Sequence, residues 1–108
     1  MAIKPIRETY KGRKLLVKRC TREWGRLSTF INGEHIFNPL GITQEAAEQQ
    51  MAQLKRDIDF ADRWRAAGEA DRFPAHWFAG APEPTAEEIA EAAAWAERER
   101  ADREALSA

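Results

Sequence analysis

Through the middle of the chain, apolar residues recur at Ala47, Met51, Leu54, Ile58 and Ala61, at intervals of four, three, four and three. Phe60 and Trp64 widen that stripe. This spacing predicts an amphipathic helix of about six turns. Thr43 supplies its N-cap and Gly68 its stop. A second helix is expected from Ala86 to about Leu106, opened by a capping box in which Glu88 follows Thr85 by three residues. Ile89, Trp95 and Leu106 are its only large apolar residues. So narrow an apolar edge predicts that the first half docks, through Ile89, Ala92, Ala93, Trp95 and Ala96, while the rest projects into solvent.

Ahead of the helices the pattern changes to short runs with β-favouring side chains. Residues 13–20 (RKLLVKRC) and 26–31 (RLSTFI) read as strands joined through Trp24-Gly25. Asn32-Gly33 follows, and such a pair between two β-like runs signals a two-residue hairpin turn, because both residues tolerate positive φ. Residues 34–37 return, and Asn38-Pro39 ends the unit. Residues 1–12, with Pro5, mixed charges and no periodicity, read as an arm leading to a turn at Lys11-Gly12. The expectation is one α+β domain spanning residues 1–108: a three-stranded antiparallel meander on one long helix, an aromatic loop, and a second, partly projecting helix (85–108).

A two-residue turn sets Thr29 against Ile36 and Ser28 against Phe37, which sorts the sheet into two faces. Leu27, Thr29, Ile31, Ile36, Leu15 and Val17 make the expected core side. Phe30, His35, Phe37, Arg26, Leu16 and Lys18 share the other. Aromatics mixed with cations suit a surface that meets nucleic acid or protein, and equally one covered by a C-terminal segment. Residues 71–84 have the Pro, Gly and Ala content of a loop, yet carry Phe73, His76, Trp77 and Phe78. Either this cluster pins the loop to the core or it forms a contact patch.

Charge sharpens the picture. The net charge is −1. Residues 1–30 hold nine Lys or Arg against two Glu, giving +7, whereas residues 31–82 give −3 and residues 83–108 give −5. A chain so polarised can offer a basic surface to an anion, or its ends can neutralise each other in the fold. Twelve Arg, five Lys and twenty Ala suggest a GC-rich genome, actinobacterial or that of an associated phage or plasmid. A lone Cys20, the lack of a signal-like start and the lack of a long apolar run point to a cytoplasmic protein without disulfide or membrane span.

Motifs for chemistry are missing. One Cys and two His offer no metal-binding spacing. No nucleophile elbow, phosphate-cradling loop or HExxH appears, so neither enzyme activity nor a cofactor or metal is expected. Cys20 sits beside Arg19 and Arg22, which can lower a thiol pKa, although a single cysteine usually serves as a small buried apolar group.

Two functions follow. The first is a protein-interaction or accessory protein of phage or plasmid kind, acting through Trp24, His35, Phe37, Phe73, Trp77, Phe78 and Trp95 on a protein partner or a second copy. The alternative is duplex DNA binding, with Lys11, Arg13, Lys14, Lys18, Arg19, Arg22 and Arg26 on phosphates and Phe30 and Trp24 stacking or wedging. A basic arm and a three-stranded sheet backed by a helix resemble, in architecture only, the sheet-reading DNA-binding domains of plant transcription factors and the arm-binding domains of phage integrases. The acidic second helix has to point away from DNA for this reading to hold.

Overall fold

In the computed structural model, which describes residues 2–107, a four-stranded antiparallel sheet precedes two helices. Met1 of the expected arm and Ala108 of the expected second helix lie outside the described residues. Strands β1 (Ile6–Tyr10), β2 (Arg13–Arg19), β3 (Leu27–Ile31) and β4 (Glu34–Phe37) lie side by side in chain order. Helix α1 spans Gln44–Ala66 and α2 spans Ala86–Ser107. Single 3-10 turns at Ala70–Arg72 and Ala75–Trp77 lie between them.

The sheet has one strand more than the three expected. Most of the arm is β1, which pairs with β2 from Ile6 opposite Val17 to Tyr10 opposite Arg13. The connecting turn uses Lys11 (φ 47°) and Gly12 (φ 84°), and the β3–β4 turn uses Asn32 (φ 52°) and Gly33 (φ 81°). Both are left-handed pairs whose twist matches that of the flanking strands. A second correction concerns β4. A bulge between Thr29 and Phe30 sets Phe37, not Ile36, opposite Thr29. Two residues of β4 then occupy one step of the ladder, and Phe37 leaves the row in which sequence spacing had placed it beside Phe30 and His35.

α1 covers one face of the sheet. Thr43 caps it, its Oγ1 accepting from the Ala46 amide at 3.0 Å. The stripe Ala47, Met51, Leu54 and Ile58 is buried against Leu15, Val17, Leu27 and Ile31. Leu54 and Ile58 are both 0% exposed, and a buried aliphatic side chain of that size contributes about 1.5–3 kcal/mol.

A second apolar cluster carries α2. Trp95 meets Trp64 edge-on with centroids 4.8 Å apart, and Phe60 touches Trp64, Trp95 and Phe73. Phe73 in turn contacts Trp77 and Phe78. Ala92 and Ala96 are buried, their small side chains letting α2 approach α1, whereas Ile89 and Ala93 stay exposed and do not dock as expected. The capping box forms as expected: the Thr85 amide donates to Glu88 Oε1 at 2.9 Å, and the Glu88 amide donates to Thr85 Oγ1 at 3.1 Å. Hydrogen bonding from the Thr85 amide, and then from the Thr85 side chain, holds the Glu88 carboxyl below its usual range. Among the described residues, no helix is long and apolar enough to cross a membrane.

Candidate nucleic-acid interface

Strand alternation decides what the face opposite α1 presents. Across the sheet, Arg7 stands opposite Leu16, Leu16 opposite Phe30, and Phe30 opposite His35. Thr9 opposite Lys14 and Lys18 opposite Ser28 flank this row. Arg7, Lys14 and His35 are exposed, while Leu16, Lys18 and Phe30 are half-buried. The Lys18 ammonium lies 5.4 Å from the Phe30 ring centroid, and the His35 ring meets Phe30 edge-on at 5.4 Å. Asn38 Oδ1 holds His35 Nε2 at 2.6 Å. A shallow trough of about 530 Å³ runs between Arg7, Lys14, Lys18 and Phe30.

Glu8 contributes to the trough's edge, but neither strand carboxylate group is directed to this face. Glu8 stands opposite Leu15 and reaches Lys55 of α1 at 2.7 Å, on the helix side. Glu34 stands opposite the buried Ile31, also on the helix side. α2 packs on α1, and its Glu88 and Glu91 line a hollow with Lys11 and Asp59 beside the β1–β2 turn. Residues 76–80 are pinned at the two hairpin turns. There Asn32 Nδ2 donates to the carbonyls of His76 and Ala79, both at 2.9 Å. Gly12 and Gly80 touch so closely that a Cβ on either would overlap the other's carbonyl.

The predicted phosphate-binding residues separate into two groups. Lys14 and Lys18 lie on the open face, Arg22 is exposed in the β2–β3 loop, and Arg19, opposite Leu27, is exposed at the end of the helix-side row; none of these four forms an ion pair among the described residues. The others are engaged inside the molecule. Arg13 is fully buried, which overturns its placement as a phosphate contact. Its guanidinium forks onto Asp62, with Nη1 donating to Oδ2 at 3.0 Å, and Nε donates to the Trp77 carbonyl at 2.8 Å. Lys11 is held by Asp59 at 2.6 Å, a bond that raises its pKa above the usual lysine value. Asp59 also accepts from the Tyr10 hydroxyl at 2.9 Å. Arg26 lies 3.1 Å from Glu23 and donates to the Asn38 carbonyl at 2.8 Å, so it braces a loop instead of joining the open face.

The partner-binding candidates also divide. Phe73, Trp77, Phe78 and Trp95 are half-buried in the ring contacts of the second cluster, and Phe37 is half-buried behind the bulge. His35 belongs to the open face. Trp24 is 85% exposed in the β2–β3 loop. Sequence reasoning missed Arg7, which becomes a site residue only once β1 is a strand; the alternation of Ile6 and Tyr10 about it was the available signal.

Chemically, the face joins cations to a π-surface, the pairing that holds a phosphate backbone beside a base. Among the described residues, no three His, Cys, Asp or Glu side chains gather to hold a metal ion. Comparison with known protein families, with curated proteins and with solved structures gives no match for the chain.

Proposed function

We propose that this protein binds nucleic acid, duplex DNA included, through the open face of its sheet. The observation that carries the reading is the sorting of charge: Arg7, Lys14 and Lys18 project from the face opposite α1, while the strand carboxylates Glu8 and Glu34 belong to the helix side. Cations without internal partners lose nothing when a phosphate arrives, whereas a buried pair such as Arg13 with Asp62 would have to be broken first. Phe30, flanked by Lys18 and His35, supplies an apolar contact in the middle of the track. The acidic α2 packs on α1, the helix that covers the opposite face. A protein-docking role draws on seven residues, of which Phe73, Trp77, Phe78 and Trp95 already serve internal packing; the basic face is preferred for that reason.

Gel-shift titration of the wild type and of a Lys14→Glu/Lys18→Glu variant with a short duplex at low salt tests the proposal. The wild type is expected to shift the duplex and the variant to lose the shift with an unchanged melting temperature. A wild type that leaves the duplex free at low salt, while light scattering finds it bound to itself, would favour protein docking.

A further inference from the structure

At the end of the sheet away from the hairpin turns, the β2–β3 loop holds an aromatic ring in water. Trp24 is 85% exposed, and Thr21, Arg22 and Glu23 before it are exposed as well. A mobile loop of small polar residues would explain such exposure, but this loop is tied at every level. The Cys20 amide donates to the Arg26 carbonyl at 3.0 Å and closes its base. The Gly41 amide donates to the Gly25 carbonyl at 2.9 Å and fixes its flank. Cys20 and Ser28 share the alternation of the open face yet are buried, because the loop closes over them. Hydrogen bonds from the Ser28 hydroxyl and the Arg22 and Glu23 amides to the Cys20 sulfur keep that thiol below its usual pKa. Arg26, clamped between Glu23 and the Asn38 carbonyl, completes the brace. The ring is presented from a fixed base.

Its surroundings decide the ligand. Arg22 lies beside Trp24 in the loop and Arg19 at its base, neither with a carboxylate partner among the described residues, and Lys18, next along β2, is the first cation of the open face. An exposed π-face beside free cations matches an unpaired base with its adjoining phosphates, since any base can stack and each phosphate can be neutralised alongside. A paired base offers no free face unless its step is opened. Resting on the nucleic-acid reading above, we infer that Trp24 is a stacking residue for an unpaired base, and that single-stranded or locally opened DNA is preferred over closed duplex.

The experiment titrates a short oligothymidine and a blunt duplex of matched length into the wild type, Trp24→Ala and Trp24→Phe, following affinity and tryptophan emission. The expected result is tighter binding of the single strand than of the duplex by the wild type, with quenching that is absent in Trp24→Phe, because Trp64, Trp77 and Trp95 lie in the other cluster. Trp24→Ala is expected to weaken single-strand binding by roughly 5- to 150-fold, and Trp24→Phe to recover most of it. Equal affinity of Trp24→Ala and wild type for the single strand, or a wild type that prefers the closed duplex, would overturn the inference while leaving the basic face in place. If the wild type binds neither ligand at low salt, the nucleic-acid reading itself fails. Should Trp24→Ala not fold, the quenching difference between the wild type and Trp24→Phe still decides.

Discussion

Arg13 and Lys14 are neighbours on one strand, and they separate the two faces of the sheet more sharply than any other pair of residues. Arg13 points toward α1, is 0% exposed and has its guanidinium bonded to Asp62, the Trp77 carbonyl and the Lys11 carbonyl. Lys14 points the other way, is exposed and has no carboxylate partner among the described residues. Two basic residues of the same composition class therefore do different work. One fastens the aromatic loop and α1 to the β1–β2 hairpin, and the other is free for an outside anion. Charge counted along the chain cannot make this distinction; strand parity can.

The contrast can be broken or sharpened by substitution on each face. The largest effect is expected in the centre of the helix-facing side, where Ile58→Ala removes a fully buried side chain and should cost about 2–5 kcal/mol in denaturant unfolding. A loss under about half a kcal/mol would mean that α1 does not cover the sheet as described. Next comes Arg13→Ala, expected to cost about 3 kcal/mol: it leaves the Trp77 carbonyl unpaired, although Asp62, at 28% exposed, regains some water. Arg13→Lys should recover only part of this, since one ammonium cannot replace a fork that reaches three acceptor groups.

A smaller change of opposite sign tests the same side. Thr29 is fully buried and its hydroxyl has no hydrogen-bond partner. Thr29→Val keeps the shape and removes the stranded group, so a gain of about 1 kcal/mol is expected in the same assay. The smallest effect is expected from Lys14→Ala on the open face, within about 0.5 kcal/mol of wild type. A loss comparable to that of Arg13→Ala would show Lys14 to be structural and would remove the contrast.

What could be read from the sequence follows from how local each signal was. The α1 stripe, the Thr43 cap, the Thr85–Glu88 capping box and the Asn32-Gly33 turn depend on residues a few positions apart, and each stands in the structure where the spacing put it. β1 was hidden because an edge strand needs few apolar residues, and only Ile6 and Tyr10 point inward among charged neighbours. The bulge that moved Phe37 leaves no residue signature in a run as short as EHIF. The pairing that buries Arg13 was hidden because its partner Asp62 lies 49 positions away. The aromatic loop stood between core and interface until Phe60, on the flank of the α1 stripe, was found joining Phe73 to Trp64 and Trp95. For the candidate site, Lys18, Phe30 and His35 were legible from strand alternation and Lys14 from its charge alone, whereas Arg7 required the missing strand.

The central claim is that the open face neutralises phosphates, and the dependence of DNA affinity on salt tests it most directly. With Arg7, Lys14, Lys18 and Arg22 each neutralising one phosphate, log affinity should fall with log salt at a slope of about −3.6. Lys14→Glu/Lys18→Glu should flatten the slope by about 1.8, or abolish binding outright, while Arg13→Lys leaves the slope of the folded fraction unchanged. A slope near zero, or one that the Lys14 and Lys18 changes do not alter, would contradict the assignment of this face.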